Sequence, residues 1–83
     1  MGITILHEVE PYRMITDGTG RYAVIEARNG RVYSLHGHDR REAPDTPEGI
    51  AVVVGDGWRD RERASQRFLS MIRGEKRYSE EIW

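Results

Sequence analysis

Residues 21–36, with the sequence RYAVIEARNGRVYSLH, carry the clearest fold signal in the chain. Two runs rich in β-branched and aromatic residues flank the dipeptide Asn29-Gly30. A two-residue hairpin loop needs positive φ at both central positions, which Asn tolerates and Gly adopts without steric cost. The stretch therefore predicts a β-hairpin with a type I′ turn. The predicted strand pairs are Arg28 with Arg31, Ala27 with Val32, Glu26 with Tyr33, Ile25 with Ser34 and Val24 with Leu35.

Two further strands are predicted ahead of the hairpin. Ile3, Ile5, His7 and Val9 alternate with more polar residues, which is typical of a strand with one half-buried face. A second β-like run covers residues 12–16, after Pro11 interrupts the hydrogen-bond ladder. Short turns between consecutive strands predict an antiparallel meander.

The middle of the chain predicts a loop followed by a buried strand. Residues 37–49 are rich in charge and contain two prolines, which is typical of a long exposed loop. Residues 50–54, with the sequence IAVVV, form a β-branched block without a polar face. Such a block predicts a central strand covered on both sides.

Between Trp58 and Arg73 the apolar residues change to helical spacing. Asp56 or Asp60 can cap the start of this predicted helix, and Gly74 can end it. Its predicted buried face contains Ala64, Phe68, Met71 and Ile72. The expected fold is therefore α+β, with an antiparallel sheet of four to five strands packed against one C-terminal amphipathic helix.

Composition narrows the class of protein. A chain of 83 residues predicts a single domain with a thin core, spanning residues 1–83. The absence of cysteine excludes disulfides, cysteine-based zinc sites and thiol nucleophiles.

The longest aliphatic run, residues 50–54, is too short to cross a bilayer, and the N-terminus does not resemble a secretory signal, so we expect a cytoplasmic protein without membrane contact. The tail, residues 75–83, ends in Ile82-Trp83 and is expected either to fold back or to dock on another chain.

Arginines dominate the candidate binding residues. Arg59, Arg63 and Arg67 stand four residues apart, and we place them with Arg73 on the outer face of the predicted helix. Like charges at this spacing repel slightly, so an acidic partner or a phosphate backbone would explain them, and a merely solvated face is the alternative. The complete set of predicted partner-binding residues is Arg59, Arg63, Arg67, Arg73, Arg40, Arg41, Tyr78 and Trp83.

Other site hypotheses have weaker support in the sequence. His36 and His38, with His7, could supply three metal ligands, although nothing in the pattern supplies the hydrogen bonds that usually orient such histidines. The glycine-bearing turns at residues 17–20 and 55–57 do not match a phosphate-binding loop. No nucleophile stands beside a base, so we expect no enzymatic activity, no cofactor and no metal.

A small, cysteine-free, arginine-rich chain without catalytic residues is similar in kind to phage-encoded inhibitors such as anti-CRISPR proteins. This resemblance implies a non-enzymatic inhibitor that acts by binding a larger protein or nucleoprotein complex. The alternative is a nucleic-acid-binding module in which the helix arginines hold phosphates and Tyr22 or Tyr33 stacks on bases, although the net charge of −1 argues against generic nucleic acid. A homodimer is expected if one sheet face is left uncovered.

Overall fold

The computed structural model describes residues 2–35 and 41–74, which form an α+β fold. A five-stranded antiparallel sheet follows the chain in the order β1-β2-β3-β4-β5, so the predicted meander is confirmed. Two helices follow the sheet within these described residues, so the prediction of a single helix is wrong. The elements are β1 (Thr4–Val9), β2 (Tyr12–Thr16), β3 (Tyr22–Arg28), β4 (Arg31–Ser34), β5 (Glu42–Pro44), α1 (Pro47–Val54) and α2 (Arg61–Ile72).

The hairpin between β3 and β4 forms as predicted. Asn29 has φ of 54° and Gly30 has φ of 75°, so both central residues adopt the positive φ that a type I′ turn requires. The structure confirms the predicted pairing of β3 residues 25–28 with β4 residues 31–34. The fifth predicted pair, Val24 with Leu35, lies beyond the end of β4 at Ser34.

The main correction concerns residues 50–54, which are helical in α1 and do not form the predicted central strand. Thr46 caps this helix by accepting a hydrogen bond from the Gly49 amide, and Pro47 occupies the first turn. Gly55, with φ of 57°, follows the last helical residue. These end signals, together with burial of one side of the helix, override the β propensity of the block.

The fifth strand comes from the segment predicted to be a loop. Residues 42–44 form β5, and Ala43 pairs with Val32 of β4 and is buried. This short strand forms because Ala43 is the one small apolar residue among charged and proline neighbours, and it completes the sheet edge beneath α1. The prediction of a loop over residues 37–49 is therefore wrong for residues 42–44 and 47–49, whereas residues 41, 45 and 46 are exposed loop positions as predicted. Residues 37–40 lie outside the described part.

The sheet is covered on both faces, because β2 and β3 alternate apolar side chains between them. Ile15 and Ile25 pack in one cluster with the α1 residues Ile50, Val53 and Val54. Met14 and Val24, which point to the other face, pack in a second cluster with Ala64 and Phe68 of α2. Two thin cores thus replace the single core that the sequence predicts.

β1 departs from its predicted pattern. A bulge between Ile5 and His7 places Ile5 opposite Ile15, on the α1 face, and His7 opposite Met14, on the α2 face. The alternating residues therefore do not share one face. Every residue of β1 is exposed, which contradicts the expected half-buried side.

α2 begins at Arg61, three residues later than the predicted start at Trp58. Asp60 is the N-cap and its Oδ1 accepts a hydrogen bond from the Arg63 amide at 2.8 Å, so one of the two predicted caps is confirmed. Gly74, with φ of 80°, follows the helix end. Ala64 and Phe68 are buried as predicted, whereas Ile72 is 37 % exposed because it lies near the helix end, at the margin of the packed side.

Replacing Phe68 by Ala tests the second core. Because Phe68 fills the space between α2 and the sheet, we expect F68A to lower the free energy of unfolding by about 3–5 kcal/mol. The control V52A truncates a residue of α1 that is 60 % exposed and should change stability by less than about 0.5 kcal/mol. Chemical unfolding followed by circular dichroism measures both, and equal effects would contradict the two-core arrangement.

Replacing Gly49 by Ala tests the close approach of α1 to β5. A Cβ on Gly49 would lie 2.0 Å from the Pro44 carbonyl oxygen, a backbone atom that moves only if the helix shifts. We expect G49A to lower the free energy of unfolding by about 1–3 kcal/mol, despite the higher helix propensity of alanine. G2A is the matched control, because a Cβ on Gly2 meets nothing within 4 Å. A stability of G49A at or above that of the native chain would show that the helix sits farther from β5.

Candidate binding surface

The predicted arginine stripe does not exist as a single surface. Arg67 is only 3 % exposed, and its Nη2 donates a hydrogen bond to the Leu35 carbonyl oxygen at the end of β4. Position 67 lies three residues after the buried Ala64, so helical geometry places it on the side of α2 that faces the sheet. The placement of Arg67 on the outer face is therefore wrong.

Arg59 also lies off the predicted surface, because α2 starts two residues after it. Its backbone pairs with Tyr22 through hydrogen bonds of 2.7 and 2.8 Å, in an isolated antiparallel bridge. Its Nη1 donates to the carbonyl oxygens of Trp58 at 2.8 Å and Asp56 at 3.3 Å. Through its backbone hydrogen bonds with Tyr22, Arg59 links the α1–α2 connection to the start of β3.

The other predicted arginines divide between exposed and undescribed positions. Arg63 and Arg73 are exposed, on α2 and directly after it. Arg41 is exposed as well, and its Nη1 makes a long hydrogen bond of 3.4 Å to the Val52 carbonyl oxygen. Arg40, Tyr78 and Trp83 lie outside the described residues, as does the tail over residues 75–83.

Arg61 is an exposed arginine that the sequence analysis did not place in the set. It occupies the first turn of α2, directly after the Asp60 cap. The Asp60 cap could have identified Arg61 as exposed, because a side chain in the first turn of a helix has no preceding helical turn to pack against. Arg61, Arg63 and Arg73 are hereafter called the exposed arginines of α2.

Arginines of the sheet differ from these because each has a carboxylate partner. Arg13 bridges Glu8 and Asp45, with both ion-pair distances at 2.8 Å. The remaining pairs are Arg21 with Asp17 at 2.5 Å, Arg31 with Glu42 at 2.8 Å, and Arg28 with Glu26. No such ion pair is present for the exposed arginines of α2 among residues 2–35 and 41–74.

The pKa directions agree with these contacts. The hydrogen bond that Arg13 donates to Asp45 is the largest cause of its raised pKa, and the hydrogen bond that Arg28 donates to Glu26 raises the pKa of Arg28. The Thr19 hydroxyl donates to the Asp17 carboxylate at 2.7 Å and, with the Thr19 amide and Arg21, lowers the pKa of Asp17 to about 2. These charged side chains in and beside the sheet thus form ion pairs within the chain.

The other candidate groups also have structural positions. Of the two tyrosines predicted to stack on bases, Tyr22 packs against the α2 cluster and Tyr33 lies in β4 between Glu26 and Glu42. Both are half-buried. His7 is exposed, and its ring lies 6.1 Å from the ring of Phe68 at an interplanar angle of 31°. His36 and His38 fall outside the described residues. Within the described part, no three His, Cys, Asp or Glu side chains are grouped to hold a metal ion.

Comparisons with known proteins found no matching protein family, no matching curated protein and no matching solved structure. Neither α1 nor α2 is long and apolar enough to span a bilayer, as judged over the described segments. The arguments on function therefore start from the surface alone.

The Asp17 contacts predict a pH dependence of stability. Because folding lowers the pKa of Asp17 from 3.8 to about 2, its ionised form stabilises the fold above about pH 4, and this contribution is lost as the pH falls toward 2. We expect D17N to be less stable than the native chain at pH 6, with the difference shrinking between pH 4 and 2. Urea unfolding at a series of pH values measures this difference.

Thr19→Ala provides the control for that profile. Loss of the hydroxyl donor should raise the pKa of Asp17 toward its ordinary value, which carboxyl chemical shifts in NMR report directly. A difference between D17N and the native chain that is constant from pH 6 to 2 would contradict the assignment.

Proposed function

We propose that this chain is a non-enzymatic binding protein that attaches to an acidic surface of a larger protein or nucleoprotein complex through the exposed arginines of α2. One contrast carries the proposal. Arg13, Arg21, Arg28 and Arg31 each face a carboxylate, whereas Arg61, Arg63 and Arg73 have none among the described residues. Cationic groups left without internal partners at the two ends of one helix are available to an external anion.

The sequence of α2 concentrates this charge. Glu62 is the only acidic residue between Arg61 and Ile72, so the helix surface keeps a positive excess although the chain as a whole carries −1. Arg63 and Arg73 are ten residues apart, which is about 15 Å along a helix axis. A partner with carboxylates spread over a similar length would contact both. Guanidinium groups favour such contacts because their planar donors match carboxylates in pairs.

Three observations favour a protein over a nucleic acid as the source of the negative charge. Tyr22, a candidate for base stacking, packs against the α2 cluster. The net charge of −1 gives no general attraction to phosphate backbones. Leu69, which is 44 % exposed, adds apolar area beside the arginines, as is common at protein interfaces.

An inhibitory role follows from this mode of action. A chain with one small α+β fold can block a larger assembly by occupying the acidic surface that its natural ligand uses. This is the role that the similarity in kind to phage-encoded inhibitors, anti-CRISPR proteins among them, implies. It requires no cofactor, no metal and no chemical step by the chain itself.

Charge reversal at the exposed arginines of α2 tests the proposal. We expect the triple variant R61E/R63E/R73E to bind the complex that the native chain enriches from host lysate at least ~10-fold more weakly. The fold should persist, because glutamate is favourable in the first helical turn at positions 61 and 63, and a negative charge at the exposed position 73 costs only about 0.3–1 kcal/mol. Thermal melts verify folding, and titration of the purified complex gives the affinities. The triple variant R61K/R63K/R73K keeps the charge and should retain most of the binding.

The same variants distinguish the proposed function from the alternative of a nucleic-acid-binding module. A short DNA duplex of random sequence serves as a second probe, at low and at physiological salt. If the native chain binds this duplex with a steep salt dependence and R61E/R63E/R73E does not, the nucleic-acid function replaces the proposed one. Unchanged binding of the enriched complex by R61E/R63E/R73E would rule out α2 as the contact surface.

A further inference from the structure

The edge strand β1 is a second surface that the proposed function does not use. β1 stands at the end of the sheet order and pairs only with β2 among the described elements. All six of its residues are exposed, including Ile5 at 43 %, Leu6 at 38 % and Val9 at 49 %. An edge strand presents a row of unpaired backbone N–H and C=O groups. β1 contains neither proline nor lysine, two residues that commonly protect such edges, but its bulge between Ile5 and His7 disfavours pairing with a regular strand.

Apolar side chains of α2 lie beside this edge. The ring of His7 on β1 contacts Phe68 of α2, so the helix passes close to the strand. Arg67 and Leu69 flank Phe68 on opposite sides of the helix, and Arg67 reaches Leu35 at the end of β4. Leu69 therefore lies on the side of β1. Leu69 is 44 % exposed, and Ile72, one turn beyond Phe68, is 37 % exposed.

The charges of β1 and of the residue that follows it favour a second copy in the antiparallel direction. The acidic residues of this segment, Glu8 and Glu10, stand at its C-terminal end, and residues 3–6 carry no charge. Antiparallel pairing about a centre at Leu6 places Glu8, which pairs with Arg13 of its own chain, opposite Thr4 of the other copy. Parallel pairing would instead place Glu8 and Glu10 beside the same acidic residues of the other copy. The net charge of −1 leaves little repulsion between whole chains.

The bulge in β1 points to the same partner. One extra residue between Ile5 and His7 breaks the even spacing that a regular foreign strand would need. A second copy carries the same extra residue at the centre of the pairing, so the two strands keep equal lengths on either side of the axis. A two-fold axis therefore matches the irregularity with itself.

From these observations we propose that β1 pairs antiparallel with β1 of a second copy of this chain, across a two-fold axis near Leu6. The result is a continuous ten-stranded sheet with the two α2 helices on one face. The same rotation brings Leu69 and Ile72 of both copies toward the junction, whereas a single foreign strand would leave them exposed. Arg63 stays on the outer side of the helices, available to another partner.

Sedimentation of the full chain tests the association. We expect the native protein to show a concentration-dependent mass approaching twice 9.6 kDa. L6K places a charge at the centre of the pairing and should raise the dissociation constant of the dimer at least ~10-fold, and L69K should weaken it as well. V52K is the matched control, since Val52 is 60 % exposed on α1, which packs on β3, β4 and β5. Thermal melts verify that each variant is folded.

Single cysteines test the direction of pairing, because the native chain has none. Under mild oxidation, L6C should form a disulfide-linked dimer. V9C should not, because antiparallel pairing about Leu6 holds the two Val9 positions ~20 Å apart. A native chain that stays monomeric at all concentrations overturns the proposal. So does a dimer that V52K disrupts and L6K does not, or one in which V9C cross-links as readily as L6C.

Discussion

Burial of apolar side chains on both faces of the two inner strands is the constraint on which this structure depends. Met14 and Val24 point to one face, and Ile15 and Ile25 point to the other, so the sheet needs two covers to exclude water. α1 supplies one cover and α2 the other. With 83 residues, neither cluster could be large, and the stability of the fold is divided between two thin cores. Within the described residues, each face of the sheet is consequently covered by one helix.

This division also organises the charges. Arg13 ties β1, β2 and the start of α1 together through Glu8 and Asp45, and the Asp17 carboxylate closes the β2–β3 turn through Thr19 and Arg21. These contacts hold the sheet at its margins, where the apolar clusters do not reach. α2 has its positive side chains on the surface instead, apart from Arg67, which reaches back to β4. The arginines with carboxylate partners therefore lie in or beside the sheet, whereas the exposed arginines of α2 have no such partner within the described segments.

The two proposed surfaces are compatible because Arg61 and Arg63 lie in the first turn of α2, whereas Leu69 and Ile72 lie toward its C-terminal end. Leu69 and Ile72 extend the β1 edge, and Arg73, four residues after Leu69, borders both surfaces. A dimer through β1 would present two sets of exposed arginines on one face of a continuous sheet. Two linked sites on one partner bind more tightly than either alone when their spacing fits. Self-association and recognition of an acidic surface would then reinforce each other.

The sequence alone determined the hairpin at Asn29-Gly30, the antiparallel meander and the amphipathic α2, with Asp60 as one of two candidate caps, because each depends on local turn chemistry or on periodicity within a short window. It did not determine the state of residues 50–54, where β-branched composition and helix end signals disagree and only packing against the sheet decides. Nor did it show that Arg67 is buried or that Arg61 is exposed, since both depend on how α2 is rotated over β2 and β3. Local sequence specifies the helices and strands. The faces that they bury depend on contacts between residues far apart in the chain. The tertiary structure alone therefore decided which arginines of α2 and which edge strand of the sheet remain on the surface.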